Sequence, residues 1–301
     1  MTGVQTCALP IYLCRRLDLR KANRRVLEAL VKSGALDDLG PHRASILASL
    51  STAVHYAEQC NLNTVSGQDD LFGLETTTPQ KKSGYIQAEA WSDEERLAGE
   101  KETLGFYLRG HPIIRYENEL ANVITTRLKD IRPGSVVVAG YIHRLRTRTG
   151  TRGRMAEIVL DDRIGRAMLT VYAEKYQQYR PLLIKDKLII VRGEVVTDDY
   201  LDSGYTIIAR EIYDLDGVRN KYAALRLRLS SQQAGRESLV RISTALAGHR
   251  TGNCAVRIDY LDGPATCSLD MGEEWRVAMN DNLLESLRNI LGQDNVVIEY
   301  N

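Results

Sequence analysis

The 301-residue chain is long enough for two or three modest domains, each with its own hydrophobic core. Its 40 lysines and arginines nearly balance its 39 aspartates and glutamates, so net charge alone does not indicate a nucleic-acid ligand. No apolar run approaches the roughly 20 residues that a membrane-spanning helix requires. The cysteines are scattered and never spaced C-x-x-C, which argues against a disulfide framework or a zinc site and favours a reducing cytoplasm; they are Cys7, Cys14, Cys60, Cys254 and Cys267.

The first residues do not resemble a signal peptide, because Met1–Leu9 lacks a basic start and a long apolar stretch. The peptide Gly3–Ile11 corresponds to DNA that resembles a common sequencing adapter. We therefore expect residues 1–11 to be an assembly scar, with the natural sequence beginning at about Tyr12. A natural N-terminal tail is the alternative.

Residues 12–59 predict two helices joined by a short turn. Leu19–Ser33 forms the first helix and Gly34 ends it, while the second begins at Gly40-Pro41. The apolar residues that recur at helical spacing in the first helix are Ala22, Val26, Ala29 and Leu30. Residues 60–90 are rich in polar residues and glycine, without periodicity, and are expected to form a linker.

Residues 91–133 predict a helical connector. Its main helix runs from about Ser92 to Leu108, with Ser92 and Glu95 spaced as a capping box. A shorter helix near Ile114–Val123 leads into a turn at Pro133-Gly134.

Residues 134–216 change to a strand-like period of two. The expected elements are strands at Val136–Arg146, Met155–Leu160 and Arg166–Tyr172, a helix at Ala173–Leu183, and strands at Leu188–Val196 and Tyr205–Leu215. Three strands, a helix and two strands is the order of a five-stranded OB-fold β-barrel.

Residues 217–301 predict a small α/β domain, which makes the chain an α+β multi-domain protein. Its expected elements are helices at Gln232–Ala247 and Asp281–Leu291, and strands at Ala255–Tyr260, Trp275–Met279 and Val296–Tyr300. Asn280 or Asp281 is suited to the N-cap of the second helix.

No catalytic or metal site is indicated by the residues. Two-metal chemistry needs clustered acids, but adjacent strand residues point to opposite faces, and each Asp-Asp pair lies in a predicted turn or linker. These pairs are Asp37-Asp38, Asp69-Asp70, Asp161-Asp162 and Asp198-Asp199. The five histidines are isolated, and no phosphate-binding glycine loop or nucleophile motif is present.

A basic segment lies between the first two barrel strands. Within eleven residues it contains five arginines and no acid: Arg144, Arg146, Arg148, Arg152 and Arg154. The strand period places the first three on one face, and OB-folds bind single strands through that face and loop. Tyr141 and Tyr172 are candidate stacking residues. A solvated basic hairpin without a ligand is the alternative.

Two further segments suggest partners. The glycine turn with Gly34, Gly40, His42 and Arg43 resembles the way in which a helix-hairpin-helix holds duplex DNA by its phosphates. Gln68-Asp69-Asp70-Leu71-Phe72 puts one of only two phenylalanines into the most polar stretch of the chain, which suggests an anchor for a partner's pocket. Packing of Leu71 and Phe72 onto the chain's own core is the alternative.

From about Tyr12 to Asn301 the chain resembles the C-terminal part of the alpha subunit of bacterial DNA polymerase III. The stretches that carry this resemblance are 30–47 (LVKSGALDDLGPHRASIL), 99–113 (GEKETLGFYLRGHPI), 160–172 (LDDRIGRAMLTVY), 191–199 (VRGEVVTDD) and 275–292 (WRVAMNDNLLESLRNILG). One departure is Ile164-Gly165, where the family usually has Ser-Gly, and we expect only a local change in the turn.

The resemblance implies a role in DNA replication. The family's sliding-clamp motif is matched by Gln68, Leu71 and Phe72. The OB domain is implied to bind single-stranded template, and the hairpin segment is implied to bind duplex DNA. The terminal domain is implied to bind the tau subunit of the clamp loader. The parent is a DNA-directed DNA polymerase, a nucleotidyltransferase that uses Mg in a palm domain expected to precede Tyr12. We therefore expect this fragment to be cytoplasmic, inactive alone and without a cofactor.

Two other functions remain open. A related OB-fold reads tRNA anticodons in synthetases, although only about 85 residues follow the barrel, fewer than a catalytic domain needs. The barrel could also be a scaffold that has lost ligand binding.

Overall fold

The computed structural model describes residues 13–14, 16–18, 21–65, 85–151, 153–199 and 204–300, with side chains from 60 to 65 left out. The chain divides into two compact units, Met1–Pro112 and Ile113–Asn301. The first contains helices α1 (Arg24–Ser33), α2 (Arg43–Val65) and α3 (Asp93–Leu104), with a short 3-10 helix at Asp37–Leu39.

Helix α1 begins at Asn23, whose side chain accepts a hydrogen bond from the Val26 amide, and ends at Gly34 in the left-handed region with φ of 83°. Its buried face is formed by Leu27 and Val31, one turn apart. The predicted apolar face is therefore partly wrong, since Val26 is exposed. Leu27 packs with Leu50 and other residues of α2.

Helices α2 and α3 differ from their predicted bounds. Helix α2 begins at Arg43, after Pro41, and continues to Val65, so helix occupies the first residues of the predicted linker. The capping box of Ser92 and Glu95 is confirmed, but α3 ends at Leu104 because Gly105 takes up the left-handed conformation.

The second unit contains all but the first residue of a 3-10 helix at Pro112–Tyr116, then a short helix α4 (Glu117–Leu120) and a barrel. The barrel consists of β1 (Gly134–Gly150), β2 (Gly153–Asp161), β3 (Arg166–Val171), helix α5 (Ala173–Tyr179), β4 (Leu188–Thr197) and β5 (Tyr205–Tyr213). Its strands close in the order β1-β2-β3-β5-β4, with β3 and β5 parallel and the other pairs antiparallel. The predicted five-stranded barrel is confirmed.

The barrel core follows from the alternation of its strands. Ile142, Ile158, Leu169 and Ile207 all point inward and are fully buried, and Tyr176 of α5 packs against the same core. The opposite residues of each strand therefore form the outer surface.

The remainder is a four-stranded sheet with helices on one face. After α6 (Leu215–Tyr222), the elements are β6 (Ala223–Ser230), α7 (Arg236–Ala247), β7 (Ala255–Asp262), β8 (Ala265–Asp270), α8 (Asp281–Leu291) and β9 (Val296–Tyr300). The strand order is β8-β7-β6-β9. Leucines of α8 and Ile242 and Leu246 of α7 form its core.

Three elements, α6, β6 and β8, were not predicted from the sequence, and the predicted strand at Trp275–Met279 is wrong. A 3-10 helix at Glu273–Trp275 ends at the first residue of that segment, and only Val277 within it forms an isolated bridge, with Cys254. Its apolar residues are buried against the core of the sheet rather than paired as a strand, and a buried irregular segment has no periodicity that separates it from a strand.

The predicted turn between β2 and β3 is confirmed. Asp162 is buried, and its carboxylate accepts hydrogen bonds from the amides of Leu128, Ile164 and Gly165 at 2.7–3.0 Å. This carboxylate therefore holds the turn, in agreement with its structural interpretation.

Candidate nucleic-acid interface

Three arginines form a stripe along the outer surface of β1. Arg144, Arg146 and Arg148 are exposed and lie opposite Val159, Glu157 and Met155 of β2, respectively. A bulge between Ile142 and Arg144 shifts the register and brings these alternate residues to the outside. Their predicted common face is confirmed.

Apolar side chains lie beside the stripe on β2 and β3. Val159 pairs with Met168 of β3, and both are partly buried. Tyr172 follows β3 at the N-cap of α5 and is 50% exposed. Strand alternation places Tyr172 on the same face as Met168. We name these residues and the three arginines the stripe face: Arg144, Arg146, Arg148, Met155, Glu157, Val159, Met168, Thr170 and Tyr172.

The stripe face contains one acid that the sequence analysis missed. Glu157 lies directly opposite Arg146, and its Oε2 is 3.2 Å from the Nε of Arg148. The arginine segment has no acid of its own, so the fold supplies this carboxylate from the neighbouring strand. The alternation of Met155, Glu157 and Val159 along β2 was the signal that could have found it.

The other predicted single-strand contacts divide. Tyr141 lies on the first half of β1 and packs, half-buried, against a hydrophobic cluster that includes Ile113 and Leu215. Its Cα pairs with that of Asp161, and the next outward pair along β1 is Arg144 with Val159, so Tyr141 stays a candidate for stacking. Arg154 is exposed and pairs with Thr149. Because Thr149 alternates with Arg146 and Arg148 along β1, Arg154 lies on the face of the hairpin opposite to the three arginines. Arg152 lies outside the described residues.

Arg43 was predicted to contact duplex DNA, but it is 4% exposed. Its Nε and Nη2 donate to Asp37, Nη2 also donates to Glu100, and Nη1 donates to the carbonyl of Lys32, all at 2.8–3.1 Å. We name this group, Arg43 with Asp37 and Glu100, the Arg43 cluster. Because the guanidinium is satisfied within the first unit, the assignment of Arg43 as a phosphate contact is corrected.

Glu100 is the most buried acid of the Arg43 cluster. Burial alone would raise its pKa, but hydrogen bonds from the amides of Arg109 and Leu108 and from Arg43 outweigh burial and lower the pKa. The cluster therefore joins α3 to the turn before α2.

The remaining hairpin residues also serve local packing. A Cβ on Gly34 would lie 2.1 Å from Arg43, and one on Gly40 would lie 2.7 Å from Ile46 and 2.9 Å from Tyr85. His42 precedes α2, and its Nδ1 accepts a hydrogen bond from the Ser45 amide at 3.3 Å. The glycines are thus required by close packing, and His42 acts as a helix cap.

Gln68, Asp69, Asp70, Leu71 and Phe72 lie outside the described residues. Within the described part of the chain, no group of three or more His, Cys, Asp or Glu residues is arranged to hold a metal ion. No described helix is long and apolar enough to cross a membrane.

A second buried arginine was not anticipated. Arg219 of α6 is 2% exposed and donates to both carboxylate oxygens of Glu119 and to one oxygen of Asp281, each at 2.7 Å. Burial alone would lower the pKa of Arg219, but Glu119 and Asp281 outweigh burial and raise it. We name Arg219 with Glu119 and Asp281 the Arg219 cluster; it ties α4, α6 and α8 together.

Three family models match separate parts of the chain. A helix-hairpin-helix motif matches residues 10–46, an OB-fold nucleic acid binding domain matches 136–215, and the C-terminal domain of DNA polymerase III subunit alpha matches 241–292. The second match covers most of the barrel.

Whole-chain relatives agree with the third match. DNA polymerase III subunit alpha of Vibrio cholerae is 40% identical over 295 residues, and that of Escherichia coli K12 is 39% identical over 296. Each alignment covers 96% of this chain. The chain is a homologue of the C-terminal part of DNA polymerase III subunit alpha. It spans about a quarter of these relatives, 25% of each.

Solved structures resemble the barrel region. The second OB-fold domain of replication protein A from Methanococcus maripaludis is 17% identical, with 30% of this chain and 95% of that chain covered and a TM-score of 0.24. So low a score adds nothing to the argument, and the OB-fold assignment stands on the family model and the strand order.

Proposed function

We propose that this polymerase III alpha region acts in DNA replication as a non-catalytic module, binding single-stranded template on the stripe face of its barrel. The polymerase reaction and its Mg belong, on this proposal, to the parts of the parent protein outside this chain. A cytoplasmic location is part of the same proposal.

The stripe face carries the proposal. Cationic side chains that follow a strand can contact successive phosphates, while apolar and aromatic side chains beside them offer surfaces for bases. Among the described residues, neither Arg144 nor Arg146 forms an ion pair that would compete with a phosphate. Tyr172 is 50% exposed and follows β3 at the level of Met155, the partner of Arg148. Sequence-independent binding of this kind suits a template of any sequence.

The decisive experiment is a titration of labelled oligo-dT with the full chain, followed by fluorescence anisotropy at several salt concentrations. Arg144→Ala, Arg146→Ala and Arg148→Ala together should weaken binding. They should also reduce the slope of log affinity against log salt by about 2, because each single-strand phosphate contact contributes about 0.7. An unchanged slope would favour a solvated basic hairpin.

The matched control is Arg210→Ala. Arg210 is an exposed arginine on β5 of the same barrel, paired with Glu194 at 2.8 Å and outside the stripe face. Its replacement should leave the salt slope unchanged. Competition with unlabelled tRNA in the same assay tests the alternative of anticodon binding, since preferential displacement by tRNA would support that function.

Sliding-clamp docking is proposed for Leu71 and Phe72. The support is the Gln-x-x-Leu-Phe pattern in a chain homologous to polymerase III alpha. Leu71→Ala with Phe72→Ala should abolish binding to purified clamp in surface plasmon resonance and leave oligo-dT affinity intact. Retained clamp affinity would exclude this segment as the docking site.

Two further partners are proposed on the homology. Duplex DNA would bind the helix-hairpin-helix segment around Gly34, Gly40 and His42, and tau would bind the terminal domain at 217–301. Anisotropy with a labelled hairpin duplex and pull-down with purified tau test these contacts separately.

A further inference from the structure

Glu157 is the one carboxylate that the register places within the stripe face. It lies between Arg146 on β1 and Thr170 on β3, and its ion pair with Arg148 spans 3.2 Å. The side chains of Arg148 and Glu157 are 64% and 26% exposed, so the pair is open to solvent and to a ligand.

The fold gives no local reason for this acid. Asp161, four residues further along β2, accepts hydrogen bonds from the Arg163 amide and the Arg166 side chain and so secures the turn. Among the described residues, no backbone amide donates a hydrogen bond to Glu157. Exposed ion pairs add little to stability, and strand positions favour β-branched or aromatic residues over Glu.

We propose that the Glu157 carboxylate competes with a nucleic-acid phosphate for the guanidinium of Arg148. This inference rests on the proposed function, single-strand binding by the stripe face. A phosphate that approaches Arg148 must displace the carboxylate, which then loses its partner and faces a like charge. Glu157 therefore weakens the contact and shortens its lifetime, which allows a bound strand to be released.

The location of the pair makes the effect selective. Arg144 lies opposite Val159, two residues along β2 from Glu157, and Arg148 is the arginine in direct contact with the carboxylate. Competition should thus fall on Arg148 more than on Arg144. Arg144 and Arg146 would then be free to bind a phosphate directly, whereas Arg148 would first have to leave its ion pair with Glu157.

A double-mutant cycle in the full chain tests the proposal. Oligo-dT affinity is measured at low and high salt for the unmodified chain, Glu157→Gln, Arg148→Ala and the double variant. Glu157→Gln should bind about three- to tenfold more tightly at low salt, and the gain should shrink at high salt because charges at the surface are screened. Arg148→Ala should weaken the Glu157→Gln chain at least about threefold more than it weakens the unmodified chain.

The control is Glu194→Gln, which removes the carboxylate of the Arg210 pair elsewhere on the barrel and should leave affinity within about twofold. Circular dichroism melting checks that each variant is folded.

Two outcomes would overturn the proposal. Equal losses on Arg148→Ala in both backgrounds would show that the carboxylate does not restrain Arg148. Weaker binding by Glu157→Gln would show that the acid helps the ligand, for example as an acceptor for a base amino group. If the unmodified chain binds and either result follows, only this inference fails. If neither the unmodified chain nor Glu157→Gln binds at low salt, the proposed function fails with it.

Discussion

The Arg219 cluster and the stripe face use the same residue type in opposite ways. Arg219 is enclosed by Glu119 and Asp281, whereas Arg144, Arg146 and Arg148 stand in solvent with one nearby acid among them. A buried charge is tolerated only when it is paired, and its removal leaves its partners uncompensated. An exposed charge contributes little to stability and is free to meet a ligand. Structural and ligand-binding arginines are therefore distinguished by their partners and burial.

The Arg43 cluster shows why this distinction matters. Arg43 lies beside a glycine turn and a helix start, which is where a phosphate contact is expected from sequence. Its guanidinium is nevertheless occupied by Asp37, by Glu100 from a distant helix and by the carbonyl of Lys32. By the same criterion Arg43 belongs with Arg219.

The largest expected effect is that of Arg219→Ala. It should lower the free energy of unfolding by about 3–5 kcal/mol, because Glu119 would lose its cation and Asp281 would keep only the longer pair with Arg115, at 3.8 Å. Urea unfolding followed by circular dichroism measures this loss. The exposed pair is the control, since Arg210→Ala should cost at most about 1 kcal/mol. Equal losses in the two variants would remove the contrast between buried and exposed arginines.

Glu100→Gln should destabilise the first unit at neutral pH by about 2 kcal/mol, since it removes a charge-assisted hydrogen bond. The effect depends on pH with a defined sign. Glu100 has a lowered folded-state pKa, so its contribution is present above its ordinary value of 4.5 and is lost as pH falls through the lower, folded-state pKa. The urea midpoints of unfolding of the unmodified chain and of Glu100→Gln should therefore converge as the pH is lowered from 6 towards 3. A constant difference would contradict the lowered pKa.

Tyr172→Ala should weaken oligo-dT binding by about 1–3 kcal/mol if a base stacks on this ring. Tyr172→Phe retains the ring and should bind as the unmodified chain does. Anisotropy titration of both variants separates stacking from a hydroxyl contact, because a loss shared by the two variants would point to the hydroxyl. Tyr141 offers a less direct test, since its ring is half-buried in a hydrophobic cluster.

The sequence predicted much of the barrel because its strands alternate and its turns contain Asp, Gly and Pro. It also predicted the common face of Arg144, Arg146 and Arg148, which depends only on a period of two. It did not predict the Arg43 and Arg219 clusters. Their partners, Glu100 and Glu119, lie 57 and 100 residues away along the chain, and no local pattern records such contacts.

The register between strands explains the other omission. Glu157 joins the stripe face because β2 pairs with β1 after a bulge, and a shift of one residue would turn Glu157 towards the core. The segment Trp275–Met279 was misassigned as a strand because a buried segment without regular pairing has the same apolar pattern as a short strand.

The smallest expected effect concerns the stability of the stripe face itself. Replacing Arg144, Arg146 and Arg148 by Ala should change the free energy of unfolding by no more than about 0.5 kcal/mol per residue, because these side chains are exposed. The loss of mutual repulsion should offset the loss of the Arg148–Glu157 pair. Urea unfolding of the triple variant measures this change in stability, and its oligo-dT titration measures the loss of binding in the same protein. A large loss of stability would place these arginines with Arg43 and Arg219 as structural residues and would remove the physical basis for assigning them to a ligand.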